Sequence, residues 1–129
     1  MTKSKTKEKK NYFSKKELRC RHTGKHGFDD GFLETLNAIR EECGFPFVLT
    51  SAYRDPSHPA ESHKTATGSH ALGKAVDIRV TGAQAIRVIE VALKHGITRI
   101  GVQQKGMGRF IHIDGCTEED GKPTAVWSY

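Results

Sequence analysis

Two short runs constrain this chain most. In AVDIRV (75–80) and RFIHID (109–114) an ionisable side chain sits between apolar neighbours. If both runs are strands, alternation puts Ala75, Asp77 and Arg79 on one face and Val76, Ile78 and Val80 on the other. Likewise Phe110, His112 and Asp114 share one face, while Ile111 and Ile113 share the opposite one. A carboxylate held between Val76 and Ile78 must meet something that offsets its charge.

The remaining pattern supplies the other elements. DDGFLETLNAIREECG predicts a helix capped by Asp29 or Asp30 and ended by Gly44, with Phe32, Leu36, Ile39 and Cys43 on its buried stripe. FPFVLTSAYR predicts a buried strand, and the Pro-, Ser-, Thr-, Gly- and His-rich residues 54–69 predict a long loop of the kind that is often functional. Thr81 with Gln84 three residues on predicts a capping box for a second helix, with Ile86, Ile89 and Leu93 buried and Gly96 at its end. ITRIGVQ predicts a strand joined by the turn QKGMG to RFIHID, and AVWSY is expected to pack back onto the domain. Trp127 and Tyr129 could stack on a glycan, but the favoured expectation is that they close the core. The loop between residues 50 and 75 has no helical crossover pattern. The expected fold is therefore α+β, a small antiparallel sheet flanked by helices.

With 129 residues, 36% of them hydrophobic and 28% charged, the chain has the size and composition of one globular domain. No stretch approaches the roughly 18 apolar residues of a membrane span, so membrane insertion is not expected. The net charge is +6, but residues 1–10 carry Lys3, Lys5, Lys7, Lys9 and Lys10 against Glu8. Without them 16 basic and 14 acidic residues remain, a net +2. A disordered basic tail over residues 1–11 and a single domain over 12–129 are expected. The tail lacks aromatic residues on which bases could stack, so no specific nucleic-acid partner is expected. Cys20, Cys43 and Cys116 are odd in number and form no C-x-x-C pair, which fits synthesis in a reducing compartment. Cys20, His22 and His26 have a spacing that could hold a structural metal, although a polar segment packed on the domain is the favoured reading.

His70, Asp77 and His112 are the candidates for chemistry. Two imidazoles and a carboxylate suit a first-row metal, zinc above all, and three protein ligands leave a fourth position open. Taken singly, each histidine is more simply a hydrogen-bonded or exposed residue; the surrounding residues change that balance. SHALGKAVDI contains H-x-x-G-x-A-x-D as His70, Gly73, Ala75 and Asp77. It is preceded by S-x-x-R as Ser51 and Arg54, and followed by H-x-D as His112 and Asp114. In this order and spacing the chain resembles the zinc D-alanyl-D-alanine peptidases of the M15 type, especially the short phage and bacterial forms. FSKKELRCRH and VWSY also look like that family, so the resemblance runs from Tyr12 to Tyr129.

The resemblance implies a Hedgehog/DD-peptidase-like fold. It implies one zinc ion per chain, held by His70, Asp77 and His112, and hydrolysis of a peptide bond in the peptidoglycan stem or cross-link. Arg54 would hold a substrate carboxylate or carbonyl, with Ser51 and Ser69 as further substrate contacts. Several branches of the family carry an acidic residue three positions before the last ligand, where this chain has Arg109. Asp114 is the substitute general base, or else it orients a histidine or pairs with Arg79 or Arg109. His58 and His63 are lesser candidates. Gly68 stands where related chains often have serine. The competing expectation is a zinc-holding, non-cleaving wall-binding module of the same fold. The protein is expected to act as a monomer. It is expected to be made in the cytoplasm without a signal peptide, and to reach the wall after phage-type release or as a virion component.

Overall fold

A computed structural model describes residues 10–64 and 66–129. The lysines at 3, 5, 7 and 9 of the expected basic tail lie outside the described residues. The Asn11 side chain accepts hydrogen bonds from Phe13 N and Asn37 Nδ2.

Among the described residues there are three helices and five strands: α1 Lys15–Leu18, α2 Asp30–Cys43, β1 Leu49–Ser51, β2 Ala75–Ile78, α3 Gly82–Lys94, β3 Arg99–Gln103, β4 Phe110–Asp114 and β5 Ala125–Ser128. A single 3-10 turn, Glu118–Asp120, precedes β5. The sheet order is β1-β2-β4-β3-β5. The first three pairings are antiparallel, as expected, but β5 runs parallel to β3, so the sheet is mixed. The parallel edge is possible because residues 115–124 carry the chain from the end of β4 back to the start of β3.

Helix α2 forms as predicted, with Asp29 accepting from Phe32 N at 2.8 Å and Gly44 closing the end at φ +79°. Its Phe32, Leu36 and Ile39 join Val88, Val91 and Ala92 of α3 against Val76, Ile78, Ile111 and Ile113 of the sheet, forming one apolar core. The predicted stripe of α3 is only partly right: Ile89 packs against the core, but Ile86 and Leu93 do not. Ile86 and Leu93 are 69% and 57% exposed, and the buried face is Ala85, Val88, Val91 and Ala92. The face holding the most bulk lost to the face whose smaller side chains let α3 lie close to α2 and β4. The predicted capping box is also absent, because the Thr81 side chain makes no cap hydrogen bond. The box forms instead at the unpredicted helix α1, between Ser14 and Glu17. FPFVLTSAYR contributes only a three-residue edge strand, with Phe47 and Leu49 buried and Val48 half exposed.

Candidate metal centre

The sheet's second face carries the site, and strand register assembles it. Asp77 on β2 pairs with His112 on β4, His112 with Gly101 on β3, and Gly101 with Trp127 on β5. One row across the sheet therefore reads Asp77, His112, Gly101, Trp127. At the other edge a β-bulge extends the row. Leu49 pairs with Ile78, yet Ser51 pairs with Asp77, so one extra residue of β1 is absorbed at Thr50. Regular pairing would have set Ser51 opposite Val76 on the core side; the bulge lets Leu49 enter the core while Ser51 joins the site.

His70 arrives from the long loop. Its backbone carbonyl accepts from Arg54 N and from Gly73 N, closing the turn that leads into β2. Gly73 has φ +77°, and a Cβ there would lie 2.0 Å from the Gly27 carbonyl oxygen. The glycine of the motif is thus required twice over, by conformation and by close approach. The His70 Nδ1–H donates to Ala52 O at 2.7 Å, which turns Nε2 toward Asp77. That Nε2 is buried, lies 3.4 Å from Asp77 Oδ1, and has no hydrogen-bond partner. His112 places Nδ1 2.9 Å from Asp77 Oδ1 and Nε2 2.7 Å from Asp114 Oδ2. Ligand atoms of His70, Asp77 and His112 all lie within 4.8 Å of one another, and all three residues are buried. Among the described residues this is the one such convergence of three. Cys20, His22 and His26 do not form another; Cys20 is a buried free thiol, and the His22 ring stands edge-on to His58.

The electrostatics follow from this packing. Burial opposes ionisation of Asp77, but His112 and His70 more than offset it and hold the carboxyl well below the usual carboxylate range. Burial also opposes protonation of His112, but Asp114 and Asp77 outweigh it and raise its pKa. An unpaired ring nitrogen beside a carboxylate and a second imidazole is a donor set with a cation's place in it. The residues present fit a metal such as zinc.

A model of the Peptidase M15 family matches residues 11–114. The chain belongs to the peptidase M15 family. None of the curated proteins compared with it matches. Within this M15 chain, the expected site residues fall into distinct positions. Arg54 is fixed at three points: Nε donates to Ser51 Oγ at 3.2 Å, Nη1 to Glu61 Oε2 at 3.2 Å, and Nη2 lies 3.8 Å from Asp77 Oδ2. Ser51 is therefore a partner of Arg54. Ser69 is half-buried beside His70, with its carbonyl accepting from Lys74 N.

Asp114 is 0% exposed, and its two oxygens are occupied by Arg99 Nε, the Cys116 N–H and His112 Nε2. These contacts hold the His112 ring in place, as the orienting role expected from sequence would require. The basic partner of Asp114 is Arg99, in place of the expected Arg79 or Arg109. Arg79 is exposed, and Arg109 donates to Gly106 O in the β3–β4 turn. His58 accepts from Ala60 N and His63 is exposed, so neither joins the cluster.

Two contributors, Glu61 and Arg99, were not singled out from sequence. Glu61 is buried in the loop between Arg54 and Lys64. Lys64 Nζ lies 3.3 Å from each of its oxygens but in line to donate only to Oε2, leaving Oε1 without a hydrogen bond. Gly68 makes room for it, since a Cβ there would meet Glu61 Oε1 at 2.6 Å. Arg99 holds Asp114 and lies over the Trp127 ring. The Trp127 ring packs 5.1 Å from that of His112, and Tyr129 is 54% exposed, so AVWSY lines the site and does not close the core.

Proposed function

We propose that this M15 peptidase is a zinc enzyme that hydrolyses a peptide bond of the peptidoglycan stem or cross-link, next to D-alanine, and acts on the wall after release from the cytoplasm. The observation that carries the metal reading is the buried, unpartnered Nε2 of His70 facing Asp77 and His112. The substrate class rests on the resemblance of the S-x-x-R, H-x-x-G-x-A-x-D and H-x-D elements to D-alanyl-D-alanine peptidases.

His70 Nε2, His112 Nδ1 and an oxygen of Asp77 would hold the ion. Zinc there supplies a Lewis acid for the scissile carbonyl and a water acidified to a pKa of about 7. The remaining work belongs to side chains already in place. Asp114 keeps the proton of His112 on Nε2, which leaves Nδ1 free to ligate. Arg54, with 23% of its side chain exposed, offers its guanidinium to a substrate carboxylate or to a carbonyl oxygen acquiring charge. Ser51 and Glu61 fix the direction of that guanidinium before substrate arrives. The hydroxyl of Ser69, next to His70, is the second substrate contact.

The test is mass spectrometry of purified peptidoglycan fragments incubated with the protein, with zinc and with chelator. A chelator-sensitive product whose mass corresponds to cleavage beside D-alanine is expected, and His70→Ala should abolish it. Folded, zinc-loaded protein that yields no product across stem-peptide types would instead assign it to a non-cleaving wall-binding module. The full engagement of Asp114 and the outward turn of Arg109 are the observations that favour that alternative.

A further inference from the structure

The row across the sheet has a gap at Gly101, and the gap is filled from β5. A Cβ at residue 101 would lie 2.6 Å from Trp127 Nε1 and 2.9 Å from Tyr129 Oη. Both side chains therefore lean over the one position on β3 that lies directly beside His112 in the register. The backbone of Gly101 has no left-handed conformation to demand glycine. What its missing side chain provides is space for these two groups.

The pair is held in place by its neighbours. Trp127 Nε1 and the Tyr129 hydroxyl both border the space that a Cβ at residue 101 would take. Phe110, two residues before His112 on the same face, packs 5.0 Å from the Tyr129 ring and holds it from the other side. The Trp127 ring rests 5.1 Å from that of His112, and Arg99 lies over its face. Tyr129 is 54% exposed, so the residue stands at the rim of the site.

We propose that Tyr129 is a further catalytic residue: its hydroxyl donates a hydrogen bond to the scissile carbonyl oxygen as that oxygen acquires negative charge, from the opposite side of the site to Arg54. No covalent bond to the phenol is made, and its proton stays on the phenol throughout. The inference rests on the peptidase reading above. Trp127 and Gly101 are positioning residues, the first by packing between His112 and the phenol's place over residue 101 and the second by yielding it space.

The test compares wild type, Tyr129→Phe and Gly101→Ala, each loaded with zinc. Three quantities are measured: hydrolysis of muropeptides, zinc content, and calorimetric affinity for a phosphinate analogue of D-alanyl-D-alanine, which presents a tetrahedral anion. Removing one such donor costs about 100-fold in kcat in comparable sites. Tyr129→Phe is therefore expected to lose kcat on that order, with KM within about twofold, and to weaken phosphinate binding in parallel, with zinc content unchanged. Gly101→Ala should reproduce the loss by displacing both groups. A Tyr129→Phe protein with wild-type kcat and phosphinate affinity overturns the inference alone. A zinc-loaded wild type that neither cleaves muropeptides nor binds the phosphinate overturns the peptidase reading, and this inference with it.

Discussion

His112 and Asp114, two residues apart on the same face of β4, share a 2.7 Å hydrogen bond between Nε2 and Oδ2. That bond fixes the proton on Nε2 and commits Nδ1 to the site. Arg99 and the Cys116 N–H in turn fix Asp114. Asp114→Asn removes a buried charge, leaves Arg99 without its carboxylate and frees the imidazole to flip. Zinc affinity should fall by about 10- to 100-fold, read by competition with a chromogenic chelator. The zinc-free protein should lose about 3 kcal/mol, read by urea unfolding. Unchanged zinc affinity would remove Asp114 from the orienting role.

Metal and protons compete for the same groups, and the signs can be worked out. The Asp77 carboxyl is depressed in the folded state, so its contribution is present above an unfolded pKa of about 3.9 and is lost as pH falls through the folded value. The His112 pKa is raised, so its contribution is present below an unfolded pKa of about 6.5 and is lost as pH rises through the folded value. The zinc-free protein should be most stable between about pH 4 and 6.5. Zinc affinity should increase as pH rises above that window, because the ion requires the unprotonated His112 Nδ1. Urea midpoints across pH, with and without zinc, check both trends. A zinc-free protein whose stability climbs from pH 6 to 8 would contradict the assignment for His112.

Gly73→Ala should be among the most damaging single-methyl additions in the chain. It forces a left-handed residue and drives a Cβ to 2.0 Å from the Gly27 carbonyl. A loss of at least about 2 kcal/mol is expected, measured by thermal unfolding of the zinc-free protein. Zinc uptake should fall with it, since the same turn carries His70.

Glu61→Gln tests the loop. It keeps the shape but removes the carboxylate held between Arg54 and Lys64. The guanidinium should then swing toward Asp77, raising KM about tenfold while zinc stays bound. Steady-state kinetics on muropeptide fragments, with zinc content measured alongside, separates this outcome from simple unfolding.

Asp77 and His112 were legible because each lies in a strand run whose alternation set it apart from apolar neighbours, whereas His70, in a loop without periodicity, was legible only through the H-x-x-G-x-A-x-D element. Helix α2 was legible from its periodicity, with a cap at each end. The stripe of α3 was not. Its apolar side is a wide arc that runs from Val88 through Ala92, Ala85 and Ile89 to Leu93 and Ile86, so periodicity gave the side but not which part of it is buried; packing against α2 and β4 made the choice. Arg99 and Glu61 were invisible because their partners lie 15 residues away across a strand pair and seven residues back in a loop without periodicity. The role of Gly101 required knowing that β5 returns parallel to β3, which nothing local in AVWSY reveals.

The row that joins Ser51, Asp77, His112, Gly101 and Trp127 also acts as a parity check on folding. Slippage of β4 by a single residue would carry His112 and Asp114 to the core side and bring Ile111 and Ile113 out in their place. A misregistered chain would thus hold no weakened version of the site; it would hold none. Uptake of the ion should therefore report native strand pairing in an all-or-none manner, and loading during refolding should select the correctly aligned sheet from its shifted competitors.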